Sequence, residues 1–104
     1  MIVERLTFRA KYGHGDDLAA LFREMSSVPA FREAGVAAAR IYTDATGPMF
    51  TVSVEQEFDD WDAYARVRSA QQKAYGSPEF QEWFRKMTEV TDQGERQLFR
   101  LEQL

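Results

Sequence analysis

The sequence predicts an α+β domain of order βαββαβ, with a four-stranded antiparallel sheet carrying its helices on one face. Three observations predict it. Residues 2–11 alternate between an apolar and a charged side, the period of a half-buried strand. Residues 36–58 read as two strands joined by a turn at Asp44-Ala45-Thr46-Gly47-Pro48. Apolar residues recur at helical spacing on both sides of that hairpin.

In the first strand Ile2, Leu6, Phe8 and Ala10 fall on one side, with Val3, Arg5, Thr7, Arg9 and Lys11 on the other; Glu4 breaks the apolar side near its start. Tyr12-Gly13-His14-Gly15 forms a loop, after which Asp16 or Asp17 is expected to cap a helix by accepting backbone N–H bonds. Leu18, Leu21, Phe22 and Met25 follow at one helical face. Ser26-Ser27 weakens that helix, and Pro29 starts a further turn that Gly35 closes with a left-handed cap.

In the hairpin, Ala37, Ala39 and Ile41 are expected to face the helices, and Ala38, Arg40 and Tyr42 to face away. The second strand splits into Phe50, Val52 and Val54 against Thr51, Ser53, Glu55 and Glu57. Asp59 is the expected cap of the next helix, whose apolar face fades from Arg66 to Lys73. Gly76-Ser77-Pro78 interrupts and restarts it, with Ser77 as cap and Pro78 at the first helical position. Phe80, Trp83, Phe84, Met87 and Val90 then mark the most amphipathic segment. Asp92-Gln93-Gly94 reads as a turn before a last strand over 95–102, whose phase is open because Leu98, Phe99 and Leu101 do not share a face.

This order is the ferredoxin-like split unit, in which right-handed crossovers set the first and third strands side by side at the centre. The 104 residues make a single domain, 1–104, with no repeat or linker, and 44% hydrophobic content suffices for one core. A net charge of −4, from 17 acidic and 13 basic residues without a like-charge block, argues against nucleic acid. Cysteine is absent, which excludes disulfides, thiolate metal sites and a cysteine nucleophile. The charged start Met1-Ile2-Val3-Glu4-Arg5 does not read as a signal peptide, and no stretch reaches the roughly 18 apolar residues of a membrane span. A cytoplasmic protein without membrane contact is the expectation.

The sheet face away from the helices has no cover within the chain. It mixes Val3, Ala38 and Tyr42 with Arg5, Thr7, Arg9, Arg40, Thr51, Ser53, Glu55 and Glu57. Pattern alone leaves two arrangements open, a wet face on a monomer and two sheets packed face to face.

The run Glu57-Phe58-Asp59-Asp60-Trp61-Asp62-Ala63-Tyr64, with Ser77-Pro78-Glu79-Phe80-Gln81-Glu82-Trp83-Phe84, resembles the small dimeric α/β-barrel proteins, and among them the NIPSNAP-like and antibiotic-biosynthesis-monooxygenase-like members. Tyr12-Gly13 is similar to the Pro-Gly common there, with Tyr12 a departure. The resemblance spans nearly the whole chain in element order, but it rests on caps and core aromatics. It implies a homodimer that closes a barrel from two sheets, with small-molecule cavities between sheet and helices in some members. Haem-degrading relatives take an iron-ligating histidine from the second helical region; Ser69-Ala70-Gln71-Gln72-Lys73 lacks one, so neither haem nor any other cofactor is expected.

Candidate ligand-binding residues are Arg5, Arg9, Arg40, Tyr42, Ser53 and Glu55 on the uncovered sheet face, and His14 in the first loop. Arginine, tyrosine and hydroxyls together suit an anionic or phenolic ligand. Glu55 and Glu57 point the same way and offer acid–base work if burial raises one of them, but cross-strand pairing with Arg5 and Arg9 is the simpler reading. His14 is the only histidine, so no histidine metal cluster or catalytic relay is available, and a solvated loop residue is the simpler reading. Trp61, Tyr64, Phe80, Trp83 and Phe84 read first as plain core and second as the lining of a pocket. Two functions remain: a homodimer binding a small molecule at the sheet face or between sheet and helices, or a cofactor-independent monooxygenase acting on an aromatic or polyketide-like substrate. Whether the protein is an enzyme is open at this level.

Overall fold

The structure, a computed structural model, describes residues 1–104 except 34, 36 and 37. The expected helix-facing position of Ala37 and the hairpin's start at Val36 lie outside the described residues. The described residues form eight elements in order: β1 (Ile2–Ala10), α1 (Gly15–Ser26), α2 (Pro29–Glu33), β2 (Arg40–Thr43), β3 (Thr51–Phe58), α3 (Trp61–Ala74), α4 (Pro78–Val90) and β4 (Thr91–Arg100). The strands form one antiparallel sheet in the order β2-β3-β1-β4. This is the βαββαβ arrangement, with each crossover made of two helical pieces. Among the described residues no helix is long and apolar enough to cross a membrane.

The register sorts the strands into two faces. Leu6 pairs with Val54, Phe8 with Val52, and Ile41 with Val54, so these side chains share the helix-covered face. The core proper gathers Ala10 from β1, Leu18, Ala19 and Phe22 from α1, Val52 from β3 and Trp83 from α4. The Phe22 ring lies 5.1 Å from Phe8 and 5.4 Å from Trp83. The indole N–H of Trp83 donates to the Leu21 carbonyl at 2.6 Å, which ties α4 to α1. A second aromatic group follows, with Phe80 5.4 Å from Phe31 and 4.6 Å from Tyr75. Helices cover only one side, and the molecule is accordingly thin at 39 × 37 × 19 Å.

Several helix ends follow the sequence. Ser77 accepts the Phe80 N–H at 3.2 Å, with Pro78 opening α4. Gly35 takes φ +92°, and its N–H donates to the Arg32 carbonyl after α2. Two expected caps are displaced. Asp60, not Asp59, accepts the Ala63 N–H at 2.8 Å, because α3 begins at Trp61 and Asp60 is the residue just before it. Neither Asp16 nor Asp17 caps α1; the helix begins at Gly15, so both lie inside its first turn, where their charge meets the positive end of the helix. The expected β3 residue Phe50 sits just before the strand at φ +61°, and its ring meets Tyr12 at 4.9 Å. Trp61 and Phe84, expected in the core, are 51% and 44% exposed.

The largest correction concerns the end of the chain. Asp92-Gln93-Gly94 is not a turn: β4 starts at Thr91 directly after α4 and pairs with β1 from Ala10 back to Ile2. Gly94 stands opposite Phe8, and a Cβ there would lie 2.6 Å from the Phe8 ring. The glycine makes room for an aromatic ring on the neighbouring strand. The register also settles the phase of β4: Leu98 pairs with Glu4 on the helix face and Phe99 with Val3 on the uncovered face. Gly94→Ala is therefore expected to destabilise the fold by about 1–3 kcal/mol through overpacking against Phe8, measured by denaturant unfolding; an unchanged midpoint would show that the ring moves aside freely.

Candidate functional site

Two places gather polar side chains, one on each face of the sheet. On the uncovered face β1 supplies Arg5, Thr7 and Arg9, β2 supplies Arg40 and Tyr42, and β3 supplies Ser53, Glu55 and Glu57. The antiparallel register sets Arg5 and Arg40 on either side of Glu55, and Thr7 and Tyr42 on either side of Ser53. Arg5 holds Glu55 at 3.0 Å and Arg40 holds Glu57 at 3.0 Å. The Thr7 and Ser53 hydroxyls meet at 3.3 Å. The Arg5 guanidinium also lies 5.0 Å from the centre of the Phe99 ring. Ala38, Arg40, Glu55 and Glu57 border a small recess of about 190 Å³. Arg9 stands opposite Thr51 and Gln93 at the end of this face and forms no ion pair among the described residues. The six sheet-face candidates thus share one surface. His14 does not join them: its Nδ1 lies 2.9 Å from the Asp17 carboxylate at the start of α1, where both are exposed.

The second place is larger. Between sheet and helices lies a cavity of about 520 Å³, within the usual range for small-molecule sites. Leu6, Phe8 and Val54 line it from the sheet, and Phe22, Phe80 and Trp83 from the helices. One corner is polar, formed by Glu4, Gln56, Arg68, Gln71, Tyr75 and Arg96. Glu4 and Gln56 are cross-strand neighbours on β1 and β3, each almost fully buried. The Glu4 carboxylate accepts from the Tyr64 hydroxyl at 3.0 Å and forms an ion pair with Arg96 at 3.3 Å. Gln56 donates to the Gly35 carbonyl. Nη1 of Arg68 donates to Gln71 Oε1 at 3.2 Å and to the Tyr75 hydroxyl at 2.8 Å. Burial, and then the hydrogen bond to the Glu4 carboxylate, push the Tyr64 hydroxyl above its ordinary value of 10.0. Among the described residues no three His, Asp or Glu side chains converge as a metal would require.

The sequence pattern points to the uncovered face and not to this corner: Glu4 reads as a break in an apolar side, and Arg68 and Gln71 as part of the fading face of α3. One signal was present. Glu4 and Gln56 each sit at an apolar-phase position of a strand whose other face is already polar. A polar residue there must meet a partner or a wet cavity, since an unpaired buried polar group is costly.

No protein-family model matches the chain, and no curated protein matches it by sequence. Solved structures do match its fold. An uncharacterized NIPSNAP domain protein from Burkholderia xenovorans superposes with TM-score 0.74 at 16% identity, over 98% of this chain and 95% of that one. A NIPSNAP family protein from Agrobacterium tumefaciens gives TM-score 0.74 at 16% identity, over 95% and 90%. SnoaB, a cofactor-independent oxygenase from Streptomyces nogalater, gives 0.62 at 13% identity, over 99% and 94%. The chain has the fold these proteins share. At such identities the NIPSNAP likeness establishes architecture, and the chemistry has to be argued from the side chains.

The Tyr64–Glu4 contact has a pH signature. A hydroxyl whose folded pKa is raised favours the fold below its unfolded value, and that contribution is lost as pH rises from about 10 toward the folded value. Tyr64→Phe should remove a late step from an alkaline absorbance titration and cost about 1 kcal/mol. A Tyr64→Phe titration with the same late step would show that another tyrosine carries it.

Proposed function

We propose that the protein is a homodimer that holds a small, largely apolar molecule in the cavity between sheet and helices. The observation that carries this reading is the cavity itself: aromatic and aliphatic walls with a few convergent polar groups at one corner, the composition of a ligand site rather than of a packing defect. A core left unfilled at this size forfeits packing that larger side chains would supply.

Dimerisation is supported by the uncovered face. Val3, Tyr42 and Phe99 stand there among ion pairs, Phe99 40% exposed under the Arg5 guanidinium. Exposed ion pairs of this kind contribute only about 0–1 kcal/mol in water, so the Arg5–Glu55 and Arg40–Glu57 pairs do little for a monomer. Between two facing sheets they would neutralise charges that otherwise could not be buried. In this reading Arg5, Arg9, Arg40, Tyr42, Ser53 and Glu55 serve the contact between copies, and the ligand lies on the other side of the sheet.

A second reading, cofactor-independent oxygenation, draws on the likeness to SnoaB and on Glu4 as a carboxylate at the cavity wall. It is the weaker one. Arg96 and the Tyr64 hydroxyl both reach Oε2 of Glu4, so that oxygen is already engaged within the protein. Oxygen uptake with a quinol-type polyphenol, abolished in Glu4→Gln, would reverse this order.

Sedimentation equilibrium at micromolar concentration should give twice the 12.0 kDa chain mass, and Phe99→Asp should shift it toward a single chain. The neutral dye phenylnaphthylamine should bind with a roughly micromolar Kd. Ile41→Trp, which projects an indole into the cavity from β2, should abolish that binding with the circular dichroism spectrum retained. Dye binding undiminished in Ile41→Trp would rule out the cavity.

A further inference from the structure

We infer that the cavity takes an apolar molecule ending in a single carboxylate, with Arg68 receiving the acid group. This rests on the cavity reading above and gives its ligand a chemical class. Arginine offers five N–H donors in a fixed planar fork. In Arg68 both donors of Nη1 are used, by Gln71 and by the Tyr75 hydroxyl. Those bonds fix the plane of the guanidinium at the cavity wall. Nε and Nη2 have no protein acceptor among the described residues. These two groups form one edge of the fork, whose parallel N–H bonds match the two oxygens of a carboxylate.

The charges around the corner agree. Among the described residues four charged side chains line the cavity: Glu4, Arg23, Arg68 and Arg96. Glu4 is the one anion among them, and it is already engaged by Arg96 and by the Tyr64 hydroxyl. Neither Arg23 nor Arg68 has an ion-pair partner among the described residues. A chain of net charge −4 thus surrounds this cavity with an excess of positive charge. An anionic group beside Arg68 would complete the pairing, while the remaining walls, from Leu6 and Phe8 to Trp83, accept only an apolar body. A cationic ligand would meet the arginines unfavourably, and a neutral one would leave the free edge of Arg68 without a charged partner.

The test uses the full chain and displacement of phenylnaphthylamine by decanoate, decanol and decylammonium below their micellar concentrations. These share one apolar body and differ in the head group. Decanoate should bind about tenfold or more tighter than decanol, as a charge-assisted pair implies, and decylammonium should bind most weakly. Arg68→Met should bring decanoate down to the level of decanol and leave decanol unchanged. Arg68→Lys, which keeps the charge and loses the fork, should retain part of the preference and covers the case in which Arg68→Met fails to fold. Equal binding of decanoate and decanol by the wild type, or a preference that survives in Arg68→Met, would overturn the carboxylate assignment while the cavity reading stands. Failure of the dye to bind, or of all three compounds to displace it, would overturn both.

Discussion

Trp83 is the side chain on which the helix layer depends. It is the buried residue of α4, and its ring reaches Phe22 of α1 at 5.4 Å while its indole N–H meets the Leu21 carbonyl. Through Phe22 the contact continues to Phe8 on β1, so helix, helix and sheet are joined by one file of aromatic rings. That file packs densely at the end of the sheet nearest Ala10, Leu18 and Val52. Toward the other end the file turns to Phe80 and Phe31, which border the cavity between helices and sheet. Rigid aromatic rings hold that gap open, whereas flexible aliphatic side chains would be freer to relax into it.

The polarity of α3 completes the enclosure. A helix meant only to seal a core would carry an apolar stripe, yet α3 turns Gln71 and Arg68 inward. Gln71 is buried, and Arg68 is held by Gln71 and Tyr75. Opposite them, β1 and β3 present Glu4 and Gln56. Polar groups from three elements therefore converge on one corner, and each has a protein partner that fixes its direction. Desolvating such groups costs stability, and the arrangement gains a meaning only if something in the cavity uses the donors left over.

What could be read from residues alone follows from how local each signal is. The alternation in β1, the Ser77-Pro78 helix start and the left-handed Gly35 are properties of a few neighbouring residues, and all three stand in the structure. The uncovered face was equally legible, because period two places Arg5, Arg9, Arg40 and Glu55 on it without any knowledge of packing. Gly94 was misread for the opposite reason. Its cause is the Phe8 ring, more than eighty residues away in sequence, and a glycine among polar residues reads locally as a turn. The cavity corner failed in the same way: Arg68 and Gln71 look like a solvated helix face until the fold sets Glu4 and Gln56 across from them. Polarity in a sequence does not distinguish a side chain that meets water from one that meets a cavity.

The two polar places are carried by the same two strands. Along β1, Glu4, Leu6 and Phe8 face the cavity while Val3, Arg5 and Thr7 face outward; along β3, Val54 and Gln56 alternate with Ser53 and Glu55 in the same manner. A slip of β3 by one residue against β1 would exchange its faces, exposing Val52 and Val54 and turning Glu55 and Glu57 toward the helices without partners. The cross-strand bonds Arg5–Glu55 and Thr7–Ser53 and the facing pair Glu4–Gln56 all require the same register. Charges on the outer face therefore do more than decorate it. They help fix the alignment that brings Glu4 to the cavity corner, which ties the proposed dimer contact to the proposed ligand site through a backbone only one residue thick.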